Sequence, residues 1–134
     1  MKTNLEVIRE ENKLIDNILN DCIYDNQIKI LELKLEEFFT EDLLKFEAMA
    51  EFEKAEKVSE LLWICRMINK INFYPGVASY EELGREILND DNIINNYFFE
   101  DLQDYIDFKG YARDYIHTNP KKSGFVSLGY IEMT

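Results

Sequence analysis

Lys70-Ile71-Asn72-Phe73-Tyr74-Pro75-Gly76 divides this chain into two parts of different grammar. The first 70 residues contain neither glycine nor proline; all five glycines and both prolines of the 134 residues lie beyond Lys70. Gly and Pro are the strongest punctuators of local structure. A long stretch without either, with apolar residues at helical spacing, predicts helix throughout. Ile71-Asn72-Phe73-Tyr74 then reads as a short strand ending at the Pro75-Gly76 turn. The predicted fold class is α+β and mostly helical. It comprises an N-terminal helical bundle over residues 1–71 and a small α+β module with a short antiparallel sheet over residues 72–134.

Working back from the division, Val58, Leu61, Leu62, Cys65 and Ile68 mark one helical stripe, with Trp63 beside it. Leu43, Phe46, Glu47 and Ala50 mark another, with Thr40 as its expected N-cap and Glu41 and Asp42 in the first turn, where the helix dipole favours acids. Ile28, Leu31, Leu35, Phe38 and Phe39 form a third, after a break at Asp25–Asn26. Leu5, Ile8, Ile15, Ile18, Leu19 and Cys22 predict a long acidic helix over about Asn4–Ile23, its stripe interrupted by Asn12. Four amphipathic segments with short links predict antiparallel packing.

Working forward, Ser79 and Glu82 have capping-box spacing, so a helix starts at Tyr80 and turns Leu83, Ile87 and Leu88 inward. Gly84 falls inside that helix, where it costs about 1 kcal/mol relative to Ala, and a close helix contact explains it. A further helix is expected around Asn96–Gln103, and Asp107 is placed to cap a short helix holding Tyr111, Ala112 and Tyr115. Beyond the turn-like Asn119–Gly124, Phe125–Ser127 and Tyr130–Glu132 read as strands.

Charge narrows the function classes. The chain has 27 acidic against 15 basic residues, a net charge of −12. Phosphate contacts need clustered Lys and Arg, so direct nucleic-acid binding is disfavoured, and so are anionic membranes. Basic partners are favoured. The densest stretch is Glu81–Asp107, with Glu81, Glu82, Glu86, Asp90, Asp91, Glu100, Asp101, Asp104 and Asp107 against the single cation Arg85. Its many apolar residues separate it from disordered acidic tails. Glu82–Glu86–Asp90 and Glu100/Asp101–Asp104 have helical spacing. Helix neighbours of this kind lie about 5–6 Å apart. Rows of them on several helices can approach the charge spacing of a DNA groove edge.

Signals for enzymatic chemistry are nearly absent, and no enzyme, cofactor or metal is expected. The chain has one histidine, His117, in a polar, loop-proximal setting that marks a surface residue. Cys22 and Cys65 sit on helical stripes, and two cysteines with one histidine make no zinc site. They read as buried reduced thiols. Lys2 is followed by polar and acidic residues, and no segment approaches 18 continuous apolar residues. The expectation is a cytoplasmic protein without a signal peptide or membrane span.

Phe73-Tyr74-Pro75-Gly76-Val77, Ser79-Tyr80-Glu81-Glu82-Leu83-Gly84-Arg85, Leu102-Gln103-Asp104-Tyr105-Ile106-Asp107-Phe108 and Tyr111-Ala112-Arg113-Asp114 occur in that order, followed by Gly124-Phe125-Val126 and Gly129-Tyr130-Ile131. In order and spacing this series resembles the ArdA antirestriction family over Phe73–Ile131, and Leu33–Ile71 is more loosely similar to that family's helical middle module. ArdA proteins are acidic, elongated, dimeric inhibitors made by plasmids, transposons and phages. They mimic bent B-form DNA in the groove of type I restriction–modification enzymes. The resemblance implies a non-enzymatic anti-defence protein of the host bacterial cytoplasm, a homodimer that binds a DNA-binding defence protein and no nucleic acid.

Carried over, Glu81, Glu82, Glu86, Asp104, Asp107 and Asp114 belong to the mimic surface; Asp90, Asp91, Glu100 and Asp101 join it by charge and position. Arg85 and Arg113 read as ordinary ion-pair partners of these acids, and Tyr74, Tyr80, Tyr97, Phe98, Tyr105, Tyr111 and Tyr130 as core and dimer contacts. Family members begin with a small β-containing module bearing an aromatic and glycine-rich signature, which the glycine-free first 70 residues do not match. That departure implies a shorter mimic and leaves a second target class open, another defence nuclease such as a CRISPR effector.

Overall fold

The computed structural model describes residues 1–90, 103–118 and 120–134. The expected helix at Asn96–Gln103 falls largely on 91–102, outside the described residues, as do Tyr97, Phe98 and Asn119. The fold is mostly helical α+β, with seven α-helices and a three-stranded sheet among the described residues. The chain divides into two compact units, Met1–Phe73 and Tyr74–Thr134.

The first unit contains α1 (Asn4–Glu11), α2 (Lys13–Asn20), α3 (Asp25–Glu36), α4 (Thr40–Phe52), α5 (Val58–Arg66) and a 3-10 turn at Ile68–Lys70. Its core is Leu5, Ile15, Leu31, Leu35, Phe46, Met49, Leu61 and Ile64, all at 2% exposure or less. The expected single helix over Asn4–Ile23 is two helices. Asn12 takes an extended backbone (φ −118°, ψ 100°), donates its N–H to Ile8 O at 2.7 Å to close α1, and accepts from Ile15 N through its side chain at 3.1 Å to open α2. Arg9 spans the corner, its Nε 2.7 Å from Asp16 Oδ1 and its Nη2 2.6 Å from Asn20 Oδ1.

Two further boundaries differ from expectation. Asp25 opens α3 rather than breaking the chain; the break is the preceding Asp21–Tyr24. Thr40 is the first residue of α4 and not its cap. The extended cap residue is Phe39 (ψ 169°), whose carbonyl accepts from Leu43 N at 3.1 Å and whose ring is 82% exposed. Of the two expected buried thiols, Cys65 is buried and Cys22 only half-buried, and both are free. Burial pushes the Cys65 thiol up to about 12, so it is an inert packing group.

Helix α4 ends in a Schellman turn. Lys54 adopts a left-handed φ of 53°, Ala55 N donates to Ala50 O at 3.0 Å and Lys54 N to Glu51 O at 3.1 Å.

Strand β1 (Ile71–Pro75) runs across the boundary, and its last two residues open the second unit, which goes on with α6 (Tyr80–Asp90), a 3-10 turn at Gln103–Tyr105, α7 (Phe108–Thr118), β2 (Ser123–Val126) and β3 (Gly129–Met133). Strand order is β1-β3-β2, and β2 pairs antiparallel with β3 in the register Ser123↔Glu132 to Val126↔Gly129. Gly76 at φ 75° with Val77 N donating to Tyr74 O makes the Pro-Gly turn that starts the unit.

Helix α6 starts as its capping signature predicts. Glu82 N donates to Ser79 Oγ at 3.2 Å, and the Glu82 carboxylate reaches back to Ala78 N at 2.8 Å, one residue beyond the cap. Leu83, Ile87 and Leu88 are buried. Gly84 is the close contact the sequence implied: a Cβ there would overlap the Phe108 carbonyl oxygen and lie 2.8 Å from the carbonyl carbon. Asp107 caps α7, its Oδ1 accepting from Gly110 N at 2.9 Å. Val77, Leu83, Ile87, Ala112 and Tyr130 form the core, with Tyr74, Tyr111, Tyr115 and Ile116 half-buried around it. Tyr80, Phe125 and Tyr130 continue it in edge-to-face contacts at 5.2 and 5.0 Å. Tyr105, 85% exposed, is no part of that core.

Candidate functional site

Helix α6 sorts its residues by face. Leu83, Gly84, Ile87 and Leu88 are buried; Glu81, Glu82, Glu86 and Asn89 are exposed. The pair Glu82 and Glu86, four residues apart, therefore projects from the side opposite the core, at the roughly 5–6 Å spacing of adjacent helical turns. Asp90 is the last residue of this helix. Asp104, in the 3-10 turn, and Asp107, ahead of α7, are exposed as well, and Asp114 is exposed on α7. Asp91, Glu100 and Asp101 lie outside the described residues.

Several of these acids also have local structural work. Glu82 satisfies Ala78 N, Asp107 satisfies Gly110 N, and Glu81 accepts from Arg85 Nη2 at 3.4 Å. The Glu81–Arg85 pair is exposed and worth only about 0–1 kcal/mol. Arg85 also lies over the Phe108 ring at 4.2 Å, and Arg113 faces the Tyr80 ring at 5.7 Å. Both arginines thus lean on aromatic surface at the α6–α7 junction, a role beyond the ion pairing expected of them.

The outer face of α7 departs from the acidic pattern. Lys109, Arg113 and His117 are exposed there with Asp114. Asp114 therefore stands beside the cations Lys109 and Arg113, and the acidic row belongs to α6. The signal for this was present in the spacing of Lys109, Arg113 and His117, which fall on one side of a helix that buries Phe108 and Ala112.

Behind the surface, Glu132 on β3 is a buried carboxylate at 2% exposure. It accepts from Tyr115 Oη at 3.2 Å and lies 3.8 Å from Lys121 Nζ. Tyr130 beside it has its hydroxyl pushed up by burial; a bond to Ser123 at 2.8 Å opposes that shift and the Glu132 charge reinforces it.

Among the described residues, no group of three or more His, Cys, Asp or Glu side chains is placed to hold a metal ion. Nor is any helix among them long and apolar enough to cross a membrane. No family profile, curated protein or solved structure matches the chain. The likeness to ArdA rests on the residues quoted above.

Proposed function

We propose that this protein is a non-enzymatic inhibitor of the ArdA kind, whose carboxylates stand in for DNA phosphates. It occupies the DNA-binding groove of a restriction–modification enzyme, type I first among them. The observation that supports this reading most directly is exposure: Glu81, Glu82, Glu86, Asp104, Asp107 and Asp114 all reach solvent from a folded scaffold. Fixed charges on rigid elements pay little ordering entropy when they meet Lys and Arg, and their field speeds the encounter.

A second reading keeps the inhibitor and changes its target to another defence nuclease, such as a CRISPR effector gripped on a basic protein surface. The cations on the outer face of α7 favour it, since they leave one acidic row on α6 where groove mimicry uses two.

Competition decides between them. A purified type I restriction–modification complex is loaded with a fluorescent duplex carrying its recognition site, and this protein is titrated in. The duplex should be displaced, and displacement should weaken steeply with salt. Formation of a ternary complex of enzyme, duplex and protein would sink groove mimicry. The variants E82Q, E86Q and D107N remove charge while keeping a side-chain acceptor at both capping positions. Each should weaken displacement, by about tenfold where a close charge pair is lost.

A further inference from the structure

We propose that the first unit carries a receptor for the guanidinium of an arginine side chain on a basic protein partner, built from Trp63, Glu53 and Glu60. With Ser59 and Ile64 these residues line a cavity of about 260 Å³ at the start of α5. Drug-sized ligands fill pockets of roughly 300–1,000 Å³, so this one suits a single side chain.

Its wall is aromatic on one side. Trp63 is the sole tryptophan of the chain and is 42% exposed. Helix α5 turns Val58, Leu61, Ile64 and Cys65 into the core, which leaves the indole off that stripe. A large ring half open to solvent beside a concavity is an unused contact surface, and Trp is the aromatic that attracts cations best.

The remaining wall is anionic. Glu53 is the half-buried C-cap of α4, ahead of the left-handed Lys54 turn. Glu60 lies in the first turn of α5, and its Oε2 accepts from Glu56 N at 3.0 Å, which fixes its carboxylate against the α4–α5 turn. Two carboxylates and an indole in one concavity select a cation. A guanidinium fits better than an ammonium, because it is planar and weakly hydrated and can stack on the ring while its edge donates to carboxylates. The first unit supplies complementary long-range charge, with ten basic against sixteen acidic residues.

Trp63 is its own reporter. The full chain is titrated with acetyl-Gly-Arg-Gly-amide while tryptophan fluorescence is followed, with the lysine and the neutral citrulline peptides in parallel. The arginine peptide should give a saturable change, the lysine peptide a weaker one and the citrulline peptide none. E60Q keeps an acceptor for Glu56 N and should weaken arginine binding by about tenfold, the loss of one charge-assisted hydrogen bond; E53Q should act likewise. Circular dichroism checks that both variants fold, and should E53Q fail, the wild-type and E60Q titrations still decide. No saturable response, an equal response to citrulline or lysine, or unchanged binding by E60Q would overturn the proposal. The site uses none of the α6 carboxylates and the titration needs no defence enzyme, so its failure leaves the inhibitor reading untouched.

Discussion

The two units carry the same net charge, −6 each, from ten bases and sixteen acids in Met1–Phe73 and five bases and eleven acids in Tyr74–Thr134. They are built by different means. The first has no glycine, and its helices meet through side chains. It starts α1 with Thr3 and α2 with Asn12, while Tyr24, Phe39 and Lys57 cap α3, α4 and α5 without a side-chain hydrogen bond. The second lets two backbones touch at Gly84, and at the start of its two described helices an acid satisfies a backbone N–H, Glu82 together with the Ser79 cap on α6 and Asp107 on α7. Net charge alone therefore says little about what an acid is for. In the second unit the same carboxylates hold helix ends and face solvent, so residues of the proposed mimic surface also serve the fold.

The sharpest way to break that contrast is at Gly84. G84A gains helix propensity of about 1 kcal/mol but drives a methyl into the Phe108 carbonyl. We expect net destabilisation of about 2–3 kcal/mol in urea unfolding. An unchanged midpoint would mean that α6 and α7 separate freely. At Asp107 the comparison concerns chemistry rather than volume. D107A should cost about 1 kcal/mol and D107N close to nothing, because Asn caps as well as Asp. Equal losses in the two would show that charge, not the Gly110 hydrogen bond, stabilises that helix end.

In the first unit, Lys54 carries a left-handed backbone that glycine would adopt without strain. K54G should stabilise by about 0.5–1 kcal/mol, the left-handed cost less the entropy glycine adds to the unfolded chain; a lower melting temperature would contradict the Schellman geometry. The smallest effect is expected at Glu47. Burial raises its carboxyl above the ordinary value, Asn12 Nδ2 donating at 3.2 Å opposes the rise, and Glu11 adds to it. The folded state therefore binds that proton more tightly than the unfolded chain. Stability falls as pH rises from the ordinary carboxylate range through the raised value. E47Q keeps an acceptor for Asn12 and should be more stable than the parent above that window, by less than about 1 kcal/mol at this half-exposed position, and equal to it below. Thermal melts across pH 3–8 (roughly the carboxylate range and above) would expose an opposite trend.

These residues also show what a sequence can tell. The capping box at Ser79, the cap at Asp107 and the close contact at Gly84 were legible because each needs one residue type at one place. The division of Asn4–Ile23 into two helices was not. A stripe that resumes in phase after Asn12 looks the same whether the chain continues or turns, and only the backbone at Asn12 and the Arg9 bridge to Asp16 and Asn20 separate the cases. Thr40 carried a cap signature, but the cap is whichever residue is extended where the chain leaves α3, and that is Phe39. In the candidate site, exposure of the acids was legible because ionised side chains rarely survive burial. The cavity beside Trp63 was not, since it depends on how the α4–α5 turn brings Glu53 near a ring ten residues later.

The strand order β1-β3-β2 bears on how the protein behaves when crowded. Among the described residues it puts β3, with four of its five residues buried, in the middle and leaves β1 and β2 as the edges. One edge ends in Pro75; the other is four residues long and follows Lys121 and Lys122. Proline, shortness and lysine are the devices that stop a sheet from recruiting strands of its neighbours. Edges of this kind disfavour strand addition between copies of the chain.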